Sequence, residues 1–423
     1  MLPFAEMKAN SLHRNGRKVF HVAVIIPRGT KPYQEWISGI LRYAATHPEW
    51  DLFIFGAHSD NEVIDDLSGW HTDGIITVPA LFTANKMKGA LSARAYAIAN
   101  GRDIIPPRGC ENFGAIICDN FAVGRVGAQF FMKKRHRHFA FVGMPTAQTW
   151  SADRKAGFVH ELEKNGFSCS VFSNPDESGW ASEERRLAAF LQSLPKPCAI
   201  LTAVDSRAKH ILDVCRLIGI NVPKQIQVLG VDNEEMICEW TQPSLSSIQP
   251  DFESAGYRLA EMLDSLMRTK EVSPRIQTYG IRGIVERLST MDLSGSARIV
   301  SLAREFIRRN SASDVTIGDI AKAAGCSERL LQRHFRHIAG KTPVEELCEH
   351  RLERVCAMLN ATMTPIDRIG ELCGFASNSY LKATFKRHFG CSMSDWRKRG
   401  GQAPARAGSK TRRQARKAES ATA

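Results

Sequence analysis

At 423 residues the chain is too long for one hydrophobic core, so two or three domains are expected. It is 43% hydrophobic and 24% charged, with no run approaching the ~18 apolar residues of a membrane span and no signal-peptide core over 1–18, which argues against a membrane or exported protein and for a cytoplasmic one. The net charge of +13 is uneven: residues 291–423 hold 24 Lys and Arg against 13 Asp and Glu, leaving 33 against 31 for the first 290, so the basic end carries the electrostatic footprint of nucleic-acid binding.

Residues 1–18 are polar and read as a loose N-terminal arm. Apolar runs at Val19–Ile26, Leu52–Phe55, Gly74–Val78, Ala115–Cys118, Phe139–Gly143, Ala199–Val204 and Ile226–Val231 then alternate with amphipathic, helix-length segments. Those segments are Pro32–Thr46, Phe121–Lys133, Ala152–Asn165, Ser182–Ser193, Ser206–Ile218 and Phe252–Arg268. Strand and helix in alternation predict open parallel sheets, and residues 19–289 suffice for two such lobes. Crossovers between the lobes are expected near Ala115–Cys118 and Val231–Ile248.

Ligands of such sheets bind beyond the carboxyl ends of the strands. Asp119-Asn120, Asp205-Ser206 and Asp232-Asn233 stand there. Carboxylates in a cleft suit neutral polyhydroxy ligands, since each oxygen accepts from hydroxyl groups. Plain capping of the following helix is the alternative, and for Asp119 and Asp205 by themselves it is the stronger one.

After a linker at 290–296, residues 297–400 contain one pattern written twice. Ser327, Leu331, Phe335, Gly340 and Thr342 recur as Ser377, Leu381, Phe385, Gly390 and Ser392. Thr316-Ile-Gly-Asp319 and Thr364-Pro-Ile-Asp367 each read as a cap opening a short helix, which ends at Gly325 or Gly374. The serine then caps a second helix whose packed face is Leu331, Phe335 and Ile338, or Leu381, Phe385 and His388. The free faces carry Arg329, Gln332, Arg333 and Arg336 in the first copy, and Asn378, Ser379, Lys382 and Lys386 in the second. Arg and Lys suit guanine edges and phosphates, Gln and Asn suit adenine, so two helix-turn-helix readers of double-stranded DNA are expected. A longer helix, capped at Thr342-Pro-Val-Glu345 and striped by Cys348, Leu352, Val355, Cys356 and Leu359, would fix their spacing. A helical adaptor that binds protein is the weaker alternative. Residues 401–423, with six Lys and Arg and no apolar periodicity, read as a disordered basic tail.

The runs Ile320-Ala, Gly325-Cys-Ser327, Leu331-Gln-Arg333-His-Phe335, Gly374-Phe375, Ser379-Tyr380-Leu381 and Phe389-Gly390 resemble the double helix-turn-helix domain of the AraC family of bacterial transcription regulators. Two departures are Ile369-Gly370 in place of Ile-Ala, and Met393 in place of Pro. A helical glycine costs roughly 1 kcal/mol against alanine, which makes the second unit the softer reader. Asp119-Asn120, Trp150, Asp153-Arg154-Lys-Ala-Gly157-Phe158, Asp205-Ser-Arg207-Ala and Gly230-Val-Asp232-Asn233 resemble the periplasmic-binding-protein fold of sugar-responsive repressors. The expected fold is therefore an α/β two-lobed periplasmic-binding-protein-like domain with Rossmann-like parallel sheets, followed by an all-α double helix-turn-helix domain. The resemblance implies that Arg154 donates to sugar hydroxyls while Asp205 and Asp232 accept, with Arg28, Tyr33 and Gln34 near the cleft lip; Trp36 and Trp150 are either faces for a pyranose or core. It further implies a homodimeric activator that answers to a sugar, D-xylose foremost, at operator DNA and works with RNA polymerase.

Enzyme motifs are absent: no Gly-x-Ser-x-Gly, no Gly-x-x-x-x-Gly-Lys-Ser/Thr, no His-Glu-x-x-His. A sugar-processing enzyme remains the remote alternative. The eleven cysteines are scattered without Cys-x-x-Cys, and Cys326 with His334 and His337 fits no common zinc spacing, so no metal and no cofactor are expected.

Overall fold

The computed structural model describes residues 13–14, 17–27, 29–55, 72–79, 93, 95–100, 112–146, 148–172, 180–269, 275–291 and 295–399. Arg28, Cys110, most of the arm, three linker positions and the basic tail lie outside these residues. The chain forms two compact units, Met1–Met291 and Asp292–Ala423.

The first unit holds two sheets of six strands. Lobe 1 contains β1 (Phe20–Ile25), β2 (Trp50–Phe55), β3 (Gly74–Thr77), β4 (Ala95–Ala99), β5 (Phe113–Cys118) and β11 (Ile276–Tyr279), ordered β11-β5-β4-β3-β1-β2 and parallel throughout. Lobe 2 contains β6 (His138–Val142), β7 (Cys169–Phe172), β8 (Cys198–Thr202), β9 (Ile226–Val231), β10 (Ser246–Pro250) and β12 (Ile281–Val285), ordered β12-β10-β9-β8-β6-β7. Only β12 runs antiparallel there, opposite β10. In both sheets the strand order reverses beside the first strand, between β1 and β3 and between β6 and β8, which is where such sheets place ligands.

The lobe 2 strands show why their apolar runs are unbroken. Phe139, Phe141, Ala199, Leu201, Leu229 and Val231 point into the large core shared with lobe 1, whereas Ala140, Val142, Cys198, Ile200, Ile226 and Val228 fill a second core on the opposite face. Side chains alternate between faces, so a strand covered on both sides must be apolar at every position.

Among the described residues, the helices of this unit are α1 (Lys31–Ala44), α2 (Asn120–Lys133), α3 (Thr149–Lys164), α4 (Trp180–Ser193), α5 (Asp205–Leu217), α6 (Glu235–Trp240) and α7 (Phe252–Thr269). Two pairs approach closely through glycine. A Cβ on Gly39 of α1 would lie 2.0 Å from the Glu253 carbonyl oxygen of α7, and one on Gly124 of α2 would lie 2.0 Å from that of Arg154 in α3. The chain passes between lobes three times, after β5, after β10 and at Gly280 between β11 and β12. The first passage follows the expected Ala115–Cys118; the second lies just beyond the expected Val231–Ile248 span, and the third carries no pattern in the sequence.

The second unit consists of α8 (Gly295–Asn310), α9 (Ile317–Ala323), α10 (Glu328–Ala339), α11 (Pro343–Ala361), α12 (Ile366–Leu372), α13 (Asn378–Phe389) and α14 (Met393–Lys398). It has two cores. Ile320, Leu331, Phe335 and Leu347 belong to the first, and Leu352, Val355, Leu359, Ile369, Leu381, Phe385 and Trp396 to the second, so α11 is built into both. Its expected cap forms as a reciprocal capping box between Thr342 and Glu345. Two kinds of expectation need correcting. Ile338 and His388 are exposed, so the buried residues are Leu331 and Phe335 in α10 and Leu381, Thr384 and Phe385 in α13. Thr364 and Asp367 form no capping box; the N-cap of α12 is Pro365, whose ring has no side-chain oxygen to accept a bond.

Candidate ligand cleft and nucleic-acid interface

The cleft lip of lobe 2 is organised around Arg154 and the turn after β9. Arg154 lies on α3, only 5% exposed, behind Trp150 one turn earlier, whose ring centre is 5.1 Å from the guanidinium. Its Nε donates to Asn120 Oδ1 at 2.9 Å and its Nη1 donates to the Ala203 carbonyl oxygen. Nη2 faces Asp232 Oδ1 at 3.4 Å. Burial pushes the Asp232 carboxyl above the usual carboxylate range, and the charge and hydrogen bond of Arg154 oppose that rise.

Asp232 and Asn233 take positive φ, 103° and 49°. Left-handed backbone outside glycine costs about 1–3 kcal/mol per residue and persists only where the surroundings enforce it. Here they do. The Asn233 backbone N–H donates to Ser247 Oγ at 2.9 Å, and its side-chain Oδ1 accepts from Arg287 Nη1 at 2.9 Å. Glu234 N–H donates to Asp205 Oδ2 at 2.7 Å.

Asp205 therefore has a place other than the two expected of it. It is the first residue of α5 rather than its cap, it is 1% exposed, and it accepts from Ser247 Oγ at 2.6 Å, from the Glu234 N–H and from Cys238 Sγ at 3.3 Å. Burial, with the nearby Asp232 charge, raises its carboxyl to about 7, against the three donors. It clamps the turn that presents Asp232. Asp119 caps α2, accepting from Ala122 N–H at 2.9 Å. Trp36 is fully buried against Tyr279, with ring centres 5.4 Å apart, so it presents no open face. Trp150 is half-buried and backs Arg154.

Lobe 1 faces this lip with Tyr33 of α1 and Tyr279 of β11. Burial raises both hydroxyls; the Asp232 charge adds to the rise of Tyr33, and the charges of Cys118 and Asp232 add to that of Tyr279 against the opposing Arg154. Tyr279 donates to Asn100 Oδ1 at 3.0 Å. Among the described residues an ion pair bridges the lobes: Lys31 Nζ of α1 lies 2.9 Å from Glu235 Oε1 of α6. Arg287, Ser247 and Tyr279 were not legible as site residues, because each follows or sits in a strand whose apolar run is broken by polar residues, and Asn100 follows β4, whose alanines favour helix. The pairing of Ser247 with Gly230 across β10 and β9 is what brings that hydroxyl beneath the turn.

In the second unit both repeats fold as pairs of helices, as the sequence motif predicts. Ser327 and Ser377 each accept from the N–H three residues on, opening α10 and α13, and Gly340 and Gly390 end them at φ 68° and 73°. Arg329, Gln332, Arg333 and Arg336 are exposed on α10; Ser379, Lys382 and Lys386 are exposed on α13, while Asn378 is half-buried. α10 thus exposes four polar side chains on one short helix, three of them cationic.

A two-lobed ligand cleft in one unit and paired helix-turn-helix readers in the other define a sugar-responsive, DNA-binding transcription regulator. Residues 128–290 match the family described as a periplasmic binding protein-like domain, and residues 320–399 match a helix-turn-helix domain. The chain is similar to the xylose operon regulatory proteins: it is 27% identical to that of Escherichia coli K12 over 385 residues, 89% of this chain and 97% of the relative. The Haemophilus influenzae protein is 29% identical over 370 residues, 85% and 94% of the two chains. In fold, it is similar to a xylose-binding transcription activator, xylR (TM-score 0.54, 24% identity, 91% of this chain and 99% of that one). A cellobiose complex of the regulator CelR matches with a TM-score of 0.51 at 20% identity, over 64% of this chain and 84% of that one. No helix among the described residues is long and apolar enough to cross a membrane.

Proposed function

We propose that the chain is a cytoplasmic, D-xylose-dependent activator that binds operator DNA as a homodimer and works with RNA polymerase at genes for xylose uptake and breakdown. The observation that carries the sugar reading is the strained Asp232-Asn233 turn facing Arg154, with Tyr33 and Tyr279 within the influence of the Asp232 charge. Arg154 supplies N–H donors fixed by Asn120 and Ala203, Asp232 supplies acceptor oxygens, and Tyr33 supplies a flat apolar face with a hydroxyl at its edge. Asp205, Ser247 and Arg287 hold the turn and do not touch the sugar in this reading. The choice of xylose is supported by the relatives that match over nearly the whole chain.

Sugar held between the lobes favours the closed state, and it shifts the equilibrium only by its differential affinity for that state. In the second unit Arg329, Gln332, Arg333 and Arg336 read the first half-site and α13 the second, about one helical turn away. The test is a thermal-shift panel of the full chain against D-xylose, L-arabinose, D-ribose, D-glucose and D-galactose, followed by operator binding with and without the best ligand. A ligand at a hundred times its Kd stabilises by about 2.7 kcal/mol. A selective shift with D-xylose that also changes DNA binding is the expected result. A shift with another sugar replaces the effector, and a shift without any change in DNA binding removes the gating.

A further inference from the structure

The two helix-turn-helix copies differ where their paired helices touch. In the first copy the scaffold helix α9 is opened by a complete capping box, Asp319 N–H to Thr316 Oγ1 at 3.2 Å and Thr316 N–H to Asp319 Oδ2 at 3.0 Å. Its inner position against the recognition helix is Ala321. The matching positions of the second copy are Pro365, Arg368 and Gly370. With no cap to serve, Asp367 turns to the recognition helix instead: its backbone carbonyl accepts from Asn378 Nδ2 at 2.8 Å and its carboxylate pairs with Lys382 at 2.9 Å. The Asn378 amide lies on Gly370, where a Cβ would come 2.3 Å from its Oδ1. The φ of Gly370 is not positive, so the glycine is required by space and not by backbone conformation.

We infer that Gly370 and Asn378 are a matched pair that sets the seating of α13 on α12, so that Asn378 is a positioning residue and the second reader contacts DNA through Ser379, Lys382 and Lys386. The Lys382–Asp367 pair is largely exposed on both sides, so it yields to a phosphate at little cost. The Asn378 bond is also exposed, but the Asn378 residue is half-buried and makes the bond with the amide edge that would otherwise seek an adenine. The glycine is thus not a weak point in the helix: the hydrogen bond it admits offsets its conformational penalty, each being about 1 kcal/mol.

This inference rests on the DNA-binding reading, and the experiment separates the two. A duplex is selected by the full wild-type chain from a randomised library, and every base pair of it is then substituted and measured at one salt concentration, since affinity without fixed salt is uninterpretable. G370A, N378A and the double variant are compared on that panel. The expected result is that N378A weakens binding by less than about threefold and uniformly, with the ranking of bases in the second half-site unchanged. G370A loses about tenfold or more at that half-site, and adding N378A restores it to within about threefold of wild type. If N378A instead erases a preference of about tenfold at one base pair, which is what a lost bidentate contact costs, Asn378 is a base reader and the inference falls. It falls equally if the double variant binds no better than G370A. Should G370A fail to fold, the N378A profile alone decides. A wild-type chain that enriches no sequence overturns this inference and the DNA-binding reading together.

Discussion

Replacing Arg154 by alanine tests the centre of the cleft most directly. Two buried acceptors, Asn120 Oδ1 and the Ala203 carbonyl, lose their donors, at about 1 kcal/mol each. Asp232 loses its counter-charge. Breaking a fully buried pair costs about 3–5 kcal/mol, but the Asp232 side chain keeps 17% of its exposure and can escape by taking a proton, so about 2 kcal/mol is the larger share to expect. The sum at pH 8 is about 4 kcal/mol. Its pH dependence carries the sharper prediction. Burial already lifts the folded Asp232 above its unfolded value, and Arg154 opposes the lift; without Arg154 the folded value rises further. A raised acid favours the folded state below the unfolded pKa and withdraws that favour as pH climbs through the folded pKa. The R154A deficit is therefore larger at pH 8 than at pH 5, falling toward the ~2 kcal/mol of the two lost acceptor bonds as pH drops through the raised folded pKa. Urea unfolding followed by tryptophan fluorescence at the two pH values measures it, since six of the seven tryptophans lie in the first unit. An equal deficit at both pH values, or a larger one at pH 5, refutes the assignment of Asp232 as the group that Arg154 holds charged.

Further outcomes follow from other contacts. Asp205, raised to about 7, contributes stability that is present below pH 4 and lost as pH rises through 7, by at most about 4 kcal/mol; the pH slope of the melting temperature should flatten in D205N, and an unchanged slope contradicts the clamp. G124A and G39A each place a methyl group into a helix backbone and should destabilise by about 1–3 kcal/mol in urea melts, with neutral values showing that the helices can separate freely. Removing the bridge between lobes with K31Q should leave stability within about 1 kcal/mol, because Glu235 is mostly exposed, while weakening sugar affinity a few-fold in titration; affinity that stays level or improves would deny the bridge a part in closure. R333A should lose about 1–3 kcal/mol at one operator base pair, and operator affinity equal to wild type at fixed salt would remove Arg333 from the reading face.

Apolar runs made seven of the lobe strands legible, and amphipathic periodicity made the lobe helices legible apart from the short α6. The strands that escaped had other chemistry. β4, Ala-Tyr-Ala-Ile-Ala, is a helix former by propensity, and β10 is Ser-Ser-Ile-Gln-Pro, polar because Ser246 and Ser247 bond inward to Ser289, Arg287 and Asp205. At the cleft, residues following strands directly could be named, but their duties could not. Asp119, Asp205 and Asp232 occupy like positions in sequence, yet one caps a helix, one clamps a turn and one faces the cleft; the difference is made by Ser247, Cys238 and Arg154, which come from distant parts of the chain. In the second unit spacing sufficed for the two readers, since each is built from contacts within about twenty residues. It misjudged Gly370, whose reason is a side chain eight positions on.

The three passages between lobes bear on how the molecule is made. Lobe 1 is assembled from residues before 119 and after 251, and lobe 2 takes its last strand from 281–285. A growing chain can lay down five strands of each sheet as they emerge, but β11 and β12 come last and are separated by the single residue Gly280. Both sheets are thus completed within the same few residues of synthesis, just before the helical unit begins. A nascent chain arrested short of residue 276 would expose the open edges of β5 and β10 together, and such edges are templates for pairing with another chain.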